Sequence, residues 1–143
     1  MSKRNNCHIK ITTWAADEAL LRAVREPVFI AEQLVTPEFE WDELDATAAH
    51  ILALNAQNEP IGCARIIGNK VGRMAVLKAW RGIGIGRAIL EETVVFCKQR
   101  GEKSIKLSAQ THAIGFYAQA GFEITSAQYQ DLHIPHVDMQ LLL

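Results

Sequence analysis

This chain has little of what usually announces a specialised class of protein. Its cysteines are only Cys7, Cys63 and Cys97, odd in number, far apart and without CxxC spacing. That gives neither a disulfide framework nor a zinc site, and the three read as buried reduced thiols. No apolar run approaches the roughly 18 residues a membrane-spanning helix needs. Met1-Ser2-Lys3-Arg4-Asn5-Asn6 leads into a polar strand, not a hydrophobic signal region, so a cytoplasmic location is expected. An excess of one charge is missing too: 15 Lys and Arg against 16 Asp and Glu leave a formal net charge of -1. With that balance, neither nucleic acid nor an anionic membrane is expected as the main partner. Internal repeats and low-complexity segments are also absent.

What is there is a chain of 143 residues, 49% hydrophobic, read as one domain over 1–143 with enough core to fold without staples. It is organised around Val71 to Ala88, VGRMAVLKAWRGIGIGRA. Val71, Met74, Ala75, Val76 and Leu77 make a short apolar run that suits a buried strand. Gly82, Gly84 and Gly86 follow at alternate positions, and Arg87 to Lys98 then reads as a helix. Glycines at this spacing let backbone N–H groups approach a ligand, and the helix N-terminus behind them favours an anion. Two common anion loops fail here. No Gly-Lys-Ser/Thr closes a phosphate loop, and the dinucleotide fingerprint is broken by Arg87 at its last glycine position.

Arg81-x-x-Gly84-x-Gly86 instead resembles the Gln/Arg-x-x-Gly-x-Gly/Ala signature of the GNAT N-acetyltransferase superfamily. Downstream, Phe116-Tyr117-Ala118-Gln119-Ala120-Gly121-Phe122 resembles the FYxxxGF segment of the same superfamily. The intervening order also matches: strand Ser104–Ala109, helix Ala113–Ala120, strand Phe122–Ala127. The resemblance covers roughly residues 7 to 143. It implies an α/β (α+β) GNAT fold, with a central mixed, mostly antiparallel sheet of about seven strands flanked by about four helices.

In chain order, Cys7 to Thr13 reads as a first strand, and Asp17 as the N-cap of a helix carrying Leu20, Leu21, Val24 and Val28 at helical spacing. Pro27 kinks or divides that segment before a second short helix through Gln33, and Pro37 ends it. Glu38 to Asp45 is acidic, with Phe39, Trp41 and Leu44 set into it, and reads as a loop. His50–Asn55 and Ile61–Ile67 are strands, and Gly68-Asn69-Lys70 turns into the organising strand. Tyr129–His133 reads as a loop before a closing strand, Ile134–Leu142.

The resemblance implies an N-acetyltransferase that moves an acetyl group from acetyl coenzyme A to a primary amine of a small molecule or peptide, by direct attack in a ternary complex and without a metal. A non-catalytic acyl-coenzyme-A-binding regulatory or interaction module is the alternative, and a homodimer is left open. By the same resemblance, Arg81, Gly82, Ile83, Gly84, Ile85, Gly86 and Arg87 would cradle the pyrophosphate. Backbone in the Met74, Ala75 and Val76 strand would hold the thioester carbonyl, and Tyr117 would be the general acid. For the base, Glu32 leads a group that includes Glu38, Glu40, Asp42, Asp45 and His50. Arg25, Phe29, Arg65 and Arg73 are the substrate-side residues. Arg65 and Arg73 either pair with the acidic segment or hold a carboxylate of the acceptor, because a charge on a buried strand is costly unless paired. The carboxylates of Glu38–Asp45, set among Phe39, Trp41 and Leu44, are expected to select a small cationic amine in preference to an acidic or neutral acceptor, with Trp41 adding a cation–π contact. A carboxylate-bearing amine held by Arg65 and Arg73 is the competing view.

Overall fold

Residues 6–143 are described by a computed structural model of the chain; the reading of Met1 to Asn5 lies outside them. Among the described residues eight strands form one sheet: β1 (His8–Thr12), β2 (Ala49–Leu54), β3 (Pro60–Ile67), β4 (Lys70–Val76), β5 (Ser104–Gln110), β6 (Glu123–Ile124), β7 (Tyr129–Asp131) and β8 (Ile134–Leu142). Their spatial order is β1-β2-β3-β4-β5-β8-β6, with β7 also on β8. Only β4 and β5 run parallel, so the sheet is mixed and mostly antiparallel. The additional strand is β7, which falls in the expected loop Tyr129–His133. Tyr-Gln-Asp is too short and polar to show an alternating pattern, and its pairing with β8 is fixed by the turn at Leu132 and His133, both at positive φ. The strand expected over Phe122–Ala127 shrinks to Glu123–Ile124.

Helices α1 (Trp14–Arg25), α2 (Pro37–Glu40), α3 (Ile85–Gln99) and α4 (Ile114–Gln119) flank the sheet. Alternation along the strands divides the core. Ile51 and Ala53 point to the α3 side with Ile89, Leu90 and Cys97, whereas Leu52 and Leu54 point to the α1 side with Leu21, Val24 and Phe29. The cap of α1 is Thr13, whose side chain accepts from the Ala16 N–H, rather than Asp17. Asp17 has non-helical φ/ψ inside the helix and takes Thr12 and Lys10 as partners. At Pro27 the helix changes type without a break: α1 runs directly into a π-helical turn over Glu26–Glu32. Pro37 starts a helix instead of ending one, because a missing N–H costs nothing in a first turn. The acidic stretch is therefore α2 followed by a 3-10 turn, Glu43–Ala46, capped by Asp42.

Two irregularities in β4 create the working part of the fold. Arg65 pairs with Gly72 and Cys63 with Ala75, so Arg73 and Met74 together face Ala64 in a β-bulge. Arg73 takes φ 49°, a left-handed conformation that costs a non-glycine residue about 1–2 kcal/mol. The extra residue shifts the parity of the strand, so that Val71 and Met74 both pack on the α3 side. Beyond the bulge β4 leaves its parallel neighbour: the two pair only at Lys70↔Lys106 and Val71↔Leu107. A notch opens between Met74–Val76 and Ser108–Gln110.

Candidate active site

On the α3 side of the notch lies a cavity of about 450 Å³, lined by Met74, Ala75 and Val76, by Phe116 and Tyr117 of α4, and by the turn from Arg81 through Arg87 except Ile83, which packs on the core instead of lining the cavity as expected. Gly82 and Gly84 hold φ of 79° and 92°, conformations that glycine takes without strain. Gly84 is the N-cap of α3 and offers no side-chain acceptor, and the first turn of this 15-residue helix contains no acidic residue. Its leading N–H groups thus face the cavity with the positive end of the helix dipole behind them. Arg87 in that turn opposes the dipole, and its ion contact is an exposed one to Glu91 at 3.4 Å. An anion at the turn would satisfy the N–H groups and offset the Arg87 charge. The residues present therefore fit a pyrophosphate-bearing ligand.

Tyr117 closes the inner end. Its ring meets Phe116 and Phe122 edge-on, at centroid distances of 5.0 and 5.8 Å, and its hydroxyl donates to Met74 Sδ at 3.7 Å. Burial pushes the phenol up to about 12. It is therefore protonated at neutral pH, which a proton donor requires.

A second, larger cavity of about 860 Å³ opens on the α1 side and shares Met74, Ala75, Val76, Arg81, Ala113 and Tyr117 with the first. Its polar lining comes from both sides of the notch. Gln33 and Gln110 exchange side-chain amide hydrogen bonds of 3.1 and 2.7 Å across it. His136, paired with Gln110 in the β5–β8 register, donates from Nδ1 to the Ile134 carbonyl at 2.7 Å, which leaves the Nε2 lone pair available.

Beneath this cavity three arginines and three carboxylates form a largely buried network. The Arg25 guanidinium, 1% exposed, donates to Glu40 at 2.8 Å and to Asp45 at 2.7 Å. Arg65 binds Asp42 at 2.7 Å and Asp45 at 3.1 Å. Arg73 reaches Glu40 and Asp42 only at 3.5 Å. His50 is also buried, its Nε2 within 2.9 Å of the Asp45 carbonyl, and burial lowers its imidazole below the ordinary range.

These positions correct several expectations. Arg25 does not line the cleft: it is enclosed by Glu40, Asp45, Trp14 and Trp41 and cannot touch an acceptor. Phe29, Arg65 and Arg73 do line it, and both arginines are paired with the acidic segment as well. That segment is not a free negative surface, since Glu40 and Asp45 are buried and paired. Trp41 already carries Arg22 and Arg25 on its ring, at 4.4 and 4.9 Å. Glu32 grips Arg81 through two hydrogen bonds of 2.7 and 2.8 Å, and these hold its carboxyl below the usual range, the opposite of what a base needs. Arg81 also donates from Nε to the Val76 carbonyl at 2.9 Å, so Glu32 and Arg81 together brace the wall between the cavities.

Sequence reasoning missed Gln110 and His136. A signal existed: in β5, Lys106, Ser108 and Gln110 alternate with buried Ile105, Leu107 and Ala109, so one face of a central strand is polar where a core would be apolar.

Comparison with known proteins agrees with this geometry. The sequence profile of the acetyltransferase (GNAT) domain matches residues 16–143. YyaT of Bacillus subtilis (strain 168) is 38% identical over 139 residues, spanning 92% of this chain and 93% of that one. The uncharacterized N-acetyltransferase YjcF of the same organism is 35% identical over 121 residues, 81% of this chain and 86% of its own. The crystal structure of Escherichia coli ElaA superimposes with a TM-score of 0.84 at 26% identity, covering 94% of this chain and 98% of the other. The chain belongs to the GNAT acetyltransferase family. It is an acyl transferase. No helix among the described residues is long and apolar enough to cross a membrane.

Proposed function

We propose that this protein transfers the acetyl group of acetyl coenzyme A to a primary amine by direct attack in a ternary complex. The observation that carries the reading is the wall shared by the two cavities, where β4 backbone and the Tyr117 hydroxyl stand between an anion-binding turn and a polar cleft. The Arg81–Arg87 turn and the start of α3 hold the pyrophosphate, and the coenzyme supplies the acetyl group as an activated thioester. Backbone N–H groups of Met74–Val76, freed from β5 by the splay, stabilise charge on the carbonyl oxygen. As the amine forms its C–N bond and the C–S bond breaks, Tyr117 hands its proton to the departing sulfur. The burial that raises the phenol also raises a thiol placed beside it, which keeps this transfer from becoming steeply uphill.

The amine must lose a proton, but of the carboxylates expected to take it Glu32, Glu40, Asp42 and Asp45 are paired with arginines, and Glu38 stands exposed on α2 outside the cavity lining. His136 Nε2 takes it, directly or through water. A covalent acetyl-enzyme is disfavoured because Cys63 is buried, and burial pushes its thiol up to about 12, leaving no thiolate to attack. Incubation with acetyl coenzyme A and a panel of primary amines tests the reading. Acetylated amine and free coenzyme thiol should appear in equal amounts; tight coenzyme binding without turnover on any amine would favour the non-catalytic binding module.

A further inference from the structure

The three arginines of the buried network are not equivalent. Arg25 and Arg65 engage the carboxylates through contacts of 2.7 to 3.1 Å, with one longer Arg25 bond to Asp45 at 3.4 Å. Arg73 is left with what remains: the carbonyls of Phe39 and Glu40 at 3.3 Å and carboxylate oxygens of Glu40 and Asp42 at 3.5 Å. Strong N–H···O bonds cluster near 2.9 Å and weaken steeply beyond. Its Nε is buried without a hydrogen bond among the described residues, 3.5 Å from Glu40 Oε1. The side chain is 26% exposed, and that exposure faces the larger cavity. An unsatisfied guanidinium held at long range by its own protein has unused capacity for a bidentate anion.

Three further observations give that capacity a direction. The β-bulge, with its left-handed φ at Arg73, re-aims this residue out of the regular alternation. The next residue, Met74, accepts the hydrogen bond of Tyr117, so an anion on Arg73 would leave the rest of a small molecule at the wall where acetyl transfer is placed. The carboxylates lining the same cavity hold Arg73 only loosely: Glu32 is tied to Arg81, Glu40 takes its short hydrogen bond from Arg25 and reaches Arg73 at 3.5 Å, and Asp131 stands exposed on β7. Burial, together with Arg65 and Arg25 nearby, holds the Arg73 guanidinium below its ordinary value, a penalty a bound anion would relieve.

We infer that Arg73 anchors an anionic group, a carboxylate or a phosphate monoester, on the amine acceptor, so that the acceptor is an acidic or zwitterionic amine. This rests on the acetyl-transfer reading above. Product analogues test it without turnover: N-acetylglycine, N-acetyl-O-phosphoethanolamine and neutral N-acetylglycinamide, titrated calorimetrically into the protein with and without coenzyme A. At least one anionic probe should bind about tenfold or more tighter than the amide, and which one identifies the anion. Arg73→Gln should reduce its affinity to that of the amide, and Arg73→Lys should restore part of the difference. Equal binding of the three probes, or tighter binding of N-acetylputrescine, overturns the inference. If Arg73→Gln does not fold, the wild-type comparison alone decides. Coenzyme affinity, measured in the same series, reports separately on acetyl transfer: its absence would sink that reading, whereas coenzyme binding without an anion preference would sink the Arg73 assignment alone.

Discussion

The two halves of the cleft are built by opposite means. On the α3 side the binding groups are backbone: N–H groups at the N-terminus of α3, glycines at positive φ, and the freed edge of β4. On the α1 side they are side chains, and most of these are already bound to one another, in the Arg25–Glu40–Asp45–Arg65 network, the Glu32–Arg81 pair and the Gln33–Gln110 pair. A backbone site tolerates wide change in side chains provided the turn keeps its shape. A site of interlocked side chains changes character with each residue. One half can therefore keep a common coenzyme while the other is free to choose an acceptor.

Breaking the side-chain half should cost stability before it costs coenzyme binding. Arg25→Met leaves Glu40 and Asp45 buried without their closest partner, and should destabilise the fold by about 3–5 kcal/mol. Chemical denaturation measures this, and coenzyme affinity below the transition should stay within about threefold of wild type. Breaking the backbone half should do the reverse. Gly84→Val places a β-branched residue at φ 92° in the turn itself. It should weaken coenzyme binding by about 10²-fold, near 3 kcal/mol, and erase the coenzyme-induced rise in melting temperature.

These contrasts also explain what could be read from residues alone. The glycine turn and the succession of strands were legible because backbone geometry demands particular residues at fixed spacing: glycine where φ is positive, an apolar run where a strand is covered on both faces. Tyr117 was singled out only by the resemblance of its segment to a family motif. Arg25 and Glu32 were misplaced because a charged side chain reaches its partner through the tertiary fold. Arg25 meets Asp45 twenty positions on, and Arg81 meets Glu32 across 49. Nothing local encodes either pair. His136, proposed above as the base, was overlooked because it reaches the cleft only through the pairing of β8 with β5, which sets it beside Gln110.

Two smaller effects sharpen the comparison. Glu32→Gln releases Arg81 from its bidentate grip, and should raise KM for the coenzyme by about tenfold or less while leaving the acidic limb of the kcat pH profile in place. A lost acidic limb would return Glu32 to the role of base. The smallest effect comes from His50. Burial keeps its folded-state value below the ordinary 6.5, so as pH falls below about 6.5 the unfolded chain takes up a proton first and stability drops, by at most about 1.4 kcal/mol per pH unit until the lowered folded value is passed. Denaturation midpoints of wild type and His50→Gln between pH 5 and about 7 should differ in slope, with the variant flatter.

Tyr117→Phe tests most directly the claim that both halves meet at one proton donor. The substitution keeps the edge-on packing against Phe116 and Phe122 and removes only the hydroxyl. Release of the coenzyme thiol, followed with saturating acetyl coenzyme A and an accepted amine, should show kcat lower by about 10²–10⁴-fold, with the coenzyme dissociation constant unchanged. Turnover at the wild-type rate in that variant would contradict the account and place the acid elsewhere.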